Sequence, residues 1–133
     1  MDKEELKRRT KEFAHRCIKV CAELPNTPLG NLVRGQLLRS STSVPANYRA
    51  SCVAQSKAAF VSKISIVIEE ADESEFWLQM IIDENLLKKE RVLSLLKEAG
   101  ELTSIFVSSR KTASRKIIIN NKSKIIIWIT NQQ

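Results

Sequence analysis

Phe60, Ile64, Val67, Ala71, Ser74, Leu78 and Ile81 are separated alternately by four and three residues. A strand would need a period of two, so this spacing lays all seven on one stripe of an α-helix. The same spacing recurs at Leu6, Thr10, Phe13, Cys17, Val20 and Leu24. A further stripe carries Val33, Leu37, Ser40, Val44, Asn47, Ser51 and Ala54, and the last carries Val92, Leu95, Ala99, Leu102 and Phe106. The breaks between stripes have local causes. Pro25 and Asn26 end the first; Thr27 then offers an N-cap and Pro28 a first helical residue. Ser56 can cap the third helix, and Asp83–Asn85 ends it. The pattern predicts helices over 3–24, 28–54, 57–84 and 88–112. Their short connections imply antiparallel neighbours, hence an all-α, up-down-up-down antiparallel four-helix bundle over residues 1–113. With three glycines and three prolines in 133 residues, few tight turns can be built, which argues against a hairpin-rich β fold. Gly100, inside the fourth helix, is expected to mark a close packing contact.

The segment RSSTSVPANYRAS, residues 39–51, is the difficult part of the second stripe. Pro45 removes one backbone donor and crowds the carbonyl of Ser41. Even so, Ser40, Val44 and Ser51 keep the helical phase, with Arg34, Arg39 and Arg49 on the far face. The expectation is a kinked helix in which Ser40 and Ser43 allow close approach and hydroxyls bond preceding carbonyls. Two helices broken at Val44 is the other reading.

Charge is unevenly distributed. Leu24–Ile68 holds no acid and five bases, and Leu102–Gln133 no acid and six. Glu69–Glu101 holds ten acids and four bases, and the whole chain carries a net +7. Such polarity suits self-assembly or an anionic partner. No apolar run approaches the ~20 residues of a membrane span. The charged N-terminus shows no secretory signal, and three cysteines without a CxxC pair suggest a reduced, cytoplasmic setting.

QLLRSSTSVPANYRAS followed by FVSKISIVIEEADESEFWL resembles the four-helix-bundle family named after proteins encoded in intervening sequences of bacterial 23S ribosomal RNA genes. FAHRCIKVCAELP resembles the family's first helix and EAGELTSIFVSSRKTA its fourth. The resemblance spans roughly residues 10–113. It implies a small cytoplasmic homo-oligomer, often a pentameric ring. In a related group, the accessory proteins of diversity-generating retroelements, it also implies a basic surface that contacts polymerase and nucleic acid.

Arg39 and Arg49 match the two arginines of the family-like segment. The favoured reading joins them to Glu70 or Glu73 in structural ion pairs; the alternative turns them toward phosphates. The acids at 69–75 are expected to pair with arginines rather than hold metal. Only one histidine, His15, exists, and no Glu-x-x-His motif does. Cys17, Cys21 and Cys52 match no zinc spacing, and the serines at 40, 41 and 43 lack a nucleophile elbow. No cofactor, metal, small-molecule substrate or membrane partner is therefore expected, nor an enzymatic activity. Trp77 reads as a packing or subunit-interface residue together with Leu38. Trp128 could stack bases.

The tail, RKTASRKIIINNKSKIIIWITNQQ, departs from the family. Two isoleucine triplets around NNKSK suggest a hairpin, with disorder over 114–133 as the alternative. Arg34, Arg110, Lys111, Arg115 and Lys116 are the candidate phosphate contacts for a structured RNA or nucleoprotein partner. A protein-interaction scaffold ring without a direct nucleic-acid role is the competing expectation.

Overall fold

The computed structural model describes residues 1–131, apart from the side chains of Trp128 and Asn131. Four helices occur in chain order: α1 Lys3–Glu23, α2 Pro28–Cys52, α3 Lys57–Asp83 and α4 Lys89–Asn131. Each packs on the next, and α4 returns lightly against α1, closing a four-helix bundle.

Side-chain caps start three of the helices. Asp2 accepts from the Glu5 N–H at 2.8 Å, Thr27 from Gly30 at 3.0 Å and Ser56 from Ala59 at 3.0 Å. Each supplies one of the partners that a helix N-terminus otherwise lacks, at ~1 kcal/mol apiece. The α1–α2 turn also requires glycine at position 30, because a methyl group there would lie 2.0 Å from the Pro25 carbonyl oxygen. The α3–α4 turn uses Asn85 with φ 53°, a conformation asparagine tolerates better than most residues.

The stripes meet in one core. Phe13, Cys17, Val20, Val33, Leu37, Val44, Ile64, Val67, Ala71, Leu78, Ile81, Val92, Ala99, Leu102 and Phe106 are all fully buried. Two members of the second stripe, Asn47 and Ala54, are only half-buried. Tyr48 stacks obliquely on Phe106, with ring centroids 5.1 Å apart.

α2 runs unbroken through Pro45, so the reading of two helices parted at Val44 is set aside. Ser40 marks a close approach as expected, whereas Ser43 is half-buried. Ser40 and Ser74 are buried and their hydroxyls meet at 3.0 Å between α2 and α3. Thr42 donates to the Leu38 carbonyl at 2.7 Å, and the Asn47 amide to that of Ser43 at 2.9 Å. Among the described residues the buried Ser41 hydroxyl oxygen has no hydrogen-bond partner.

Two expectations need correction. Gly100 does not mark a tight contact: an added methyl would meet the Glu75 carboxylate at an ordinary 3.7 Å. The isoleucine-rich tail is not a hairpin, because α4 continues to Asn131. Helix formation is limited by nucleation, and here the bundle has already nucleated α4, so each further residue adds one hydrogen bond. An isolated two-stranded hairpin has no such support. The core cluster ends at Phe106, the last half-buried residue among those described is Ile117, and beyond it Ile118, Ile119, Ile125, Ile126, Ile127 and Ile129 are 49–63% exposed.

Candidate functional site at the basic end of the bundle

Antiparallel connectivity gathers the start of α1, the end of α2, the start of α3 and the middle of α4 at one end. Met1, Leu6, Lys57, Phe60, Ser108 and Lys116 line a shared hollow there. The two acid-free stretches of sequence, far apart in the chain, thereby become neighbours. Acids on α3 begin at Glu69, and the last on α4 is Glu101, both away from this end. Asp2, Glu4 and Glu5 at the start of α1 share this end, but the bases of all four helices outnumber them there, leaving a net positive pole from which the rest of α4 extends.

Arg39 is held by two carboxylates of α3. Its Nη1 donates to Glu70 Oε2 at 3.0 Å, and its Nη2 pairs with Glu73. The bond from Arg39 is the main cause that holds the Glu73 carboxyl below the usual range, with help from Trp77, whose Nε1 donates to Glu73 at 3.3 Å. Arg49 behaves differently. It is exposed and has no carboxylate partner among the described residues. The expected ion pair of Arg49 is therefore corrected, and the reason is register. Ten residues along α2 shift it ~15 Å toward the basic end, where the antiparallel α3 carries no acid.

Arg34 is also reassigned. Its Nε donates to the Cys21 carbonyl at 3.1 Å and its Nη2 to that of Leu24 at 2.7 Å. It ties down the unpaired carbonyls that end α1 and is not presented to a phosphate. On α4, Lys111, Arg115 and Lys116 are exposed, whereas Arg110 is half-buried and reaches Ser65 Oγ at 3.4 Å. None of these four has a carboxylate partner among the described residues. Leu38 is half-buried against the core, and Trp77 is half-buried edge-on to Phe76, with centroids 4.9 Å apart. A base-stacking role for Trp128 falls on a side chain outside the described residues.

Sequence reading missed Arg9. Its guanidinium forks onto Glu98, Nε to Oε2 at 2.8 Å and Nη2 to Oε1 at 2.6 Å, and also reaches Glu101 at 2.6 Å. The first stripe alone could not reveal this, because Arg9 lies beside it and its partners are in α4. Missed also were Lys7, Arg8 and Lys11, which face Arg49 across a groove between α1 and α2.

The two thiols of α1 are buried. Burial pushes Cys17 up to about 12 and Cys21 up to about 11, so both are protonated at neutral pH. Among the described residues no three His, Cys, Asp or Glu side chains gather to hold a metal, and no helix is long and apolar enough to cross a membrane.

The family model for the 23S rRNA-intervening sequence protein matches residues 3–108. The chain belongs to that family. Among solved structures, the chain is similar to a protein of unknown function from the S23 ribosomal protein family of Bacteroides thetaiotaomicron. The two share 33% identity with a TM-score of 0.74, over 80% of this chain and 98% of the other. No curated protein matches the chain. Family membership thus rests on the bundle, and the family match stops short of the α4 extension.

Proposed function

We propose that this protein is a non-enzymatic basic bundle that binds structured RNA, alone or within a nucleoprotein complex, through contacts of lysine and arginine with phosphate. One observation carries the reading. From Arg110 onward α4 displays Lys111, Arg115, Lys116, Lys122 and Lys124 on exposed helix without a single acid. Unpaired cations on an extended rod suit a polyanionic backbone, and they bring affinity without base readout.

The test is fluorescence anisotropy of a labelled RNA stem-loop across a salt series, with duplex DNA of equal length alongside. Changing Arg110, Lys111, Arg115 and Lys116 together to Gln is expected to flatten the salt dependence by ~0.7–0.9 log units for each phosphate left without its cation. Wild-type binding no tighter than ~1 mM at physiological salt would overturn the reading.

Phe76 supports a second reading, a homo-oligomeric scaffold that docks a protein. It is 54% exposed beside Trp77, and large aromatic side chains dominate contact surfaces. Phe76→Asp is the cleaner probe of that surface, since Leu38→Asp would also disturb the core. Dissociation in sedimentation with an unchanged melting temperature is the outcome this reading requires.

A further inference from the structure

We infer that the groove between α1 and α2 is a second phosphate-binding surface, one that takes a nucleic-acid backbone alongside the α4 extension. This rests on the RNA reading above and assigns it a contact surface that α4 does not contain. The groove encloses about 590 Å³. Lys7, Arg8 and Lys11 form its α1 wall, with Glu4; Thr42, Ala46 and Arg49 form its α2 wall.

The charges in it are available. Lys11 and Arg49 are exposed and have no carboxylate partner among the described residues. Lys7 and Arg8 do pair, at 3.5 Å with Glu4 and 3.1 Å with Glu12, but as neighbours on an exposed helix face. Such pairs contribute little and exchange readily for a phosphate. The α2 wall adds no acid at all, because none occurs between Leu24 and Ile68.

The shape selects the occupant. Pro45 and Ala46 give the α2 wall short side chains, so an anion can approach the helix closely. No aromatic or large aliphatic residue lines the groove, so it offers nothing to stack a base or seat an apolar peptide side chain. Thr42 already donates its hydroxyl hydrogen to the Leu38 carbonyl. What remains is a wall of long cations on α1 with Arg49 opposite on α2, which matches backbone recognition. Lys57 and Lys116 line a separate hollow at the same end of the bundle.

The experiment compares full-length wild type, Lys11→Gln/Arg49→Gln and the fourfold α4 variant with an RNA stem-loop over a salt series. In parallel, acetylation of Lys11 in the unmutated protein is read by mass spectrometry with and without the RNA. The expected results are a salt slope reduced by ~0.7–0.9 for each phosphate left unpaired in the groove variant, and protection of Lys11 by RNA. A wild-type slope in the groove variant, with Lys11 acetylated equally with and without RNA, overturns the groove while the α4 reading stands. Failure of the wild type to bind the stem-loop overturns both. Polyglutamate that protects Lys11 as well as RNA does, at equal charge concentration, overturns the nucleic-acid assignment of the groove.

Discussion

Arg9 on α1 holds Glu98 on α4 through two nearly parallel hydrogen bonds of 2.8 and 2.6 Å. The two side chains are 20% and 15% exposed, on the seam where the bundle packs most lightly. The fork is charge-assisted, and partial burial shields it from solvent screening. Glu98→Gln should destabilise the protein by ~1–2 kcal/mol, between the exposed and the fully buried limits for ion pairs. Arg9→Lys should behave similarly, because an ammonium cannot reproduce the planar fork. Urea denaturation of the two variants measures both; a loss within error of zero would show that packing alone closes the seam.

Arg39 and Glu73 set an acid-sensitive link between α2 and α3. The bond from Arg39 lowers the Glu73 pKa in the fold. A depressed carboxyl contributes stability above its unfolded value, ~4.3, and loses it as pH falls through the lower folded value. Arg39→Gln should therefore lower the melting temperature at pH 7 and leave it nearly unchanged at pH 2. Thermal melts at the two pH values check this; an equal shift at both would assign the effect to packing of the arginine stem.

Two glycines of α2 should respond in opposite directions to the same change. Gly30→Ala would drive a methyl group into the Pro25 carbonyl oxygen and should cost ~1–3 kcal/mol. Gly35 is exposed, with no neighbouring atom within 4 Å of an added methyl. Gly35→Ala should stabilise by up to ~1 kcal/mol through helix propensity. Chemical denaturation of both variants tests the pair, and destabilisation by Gly35→Ala would mean that another surface closes over that position.

Truncation after Ile117 should leave the bundle intact. The last fully buried residue of α4 is Phe106, and the isoleucines beyond Ile117 are exposed. The shortened chain should melt within a few degrees of the full one, while far-UV circular dichroism loses the helical signal of the removed segment. A collapse in melting temperature would show that the extension packs on the bundle.

Where sequence reading succeeded and where it failed has a common physical origin. Helix periods and N-caps are written in residues three or four apart, so the four elements and the caps Thr27 and Ser56 were legible along the chain. Arg34, Arg39 and Arg49 looked alike on the far face of α2, yet one caps α1, one is held by two carboxylates and one faces an open groove. Which fate each meets depends on what the antiparallel neighbours bring opposite it, ~1.5 Å per residue along the pair.

The tail shows the same division in reverse. Its β-branched triplets favour strands locally, but β-propensity depends strongly on context, and the bundle had already started a helix that the tail could extend. Short-range residue patterning thus determined which segments coil and which faces are apolar. The tertiary structure decided which charges are neutralised, which are left for a partner, and that two distant acid-free stretches share one end, because electrostatic pairing acts across space and the sequence orders residues only along the chain.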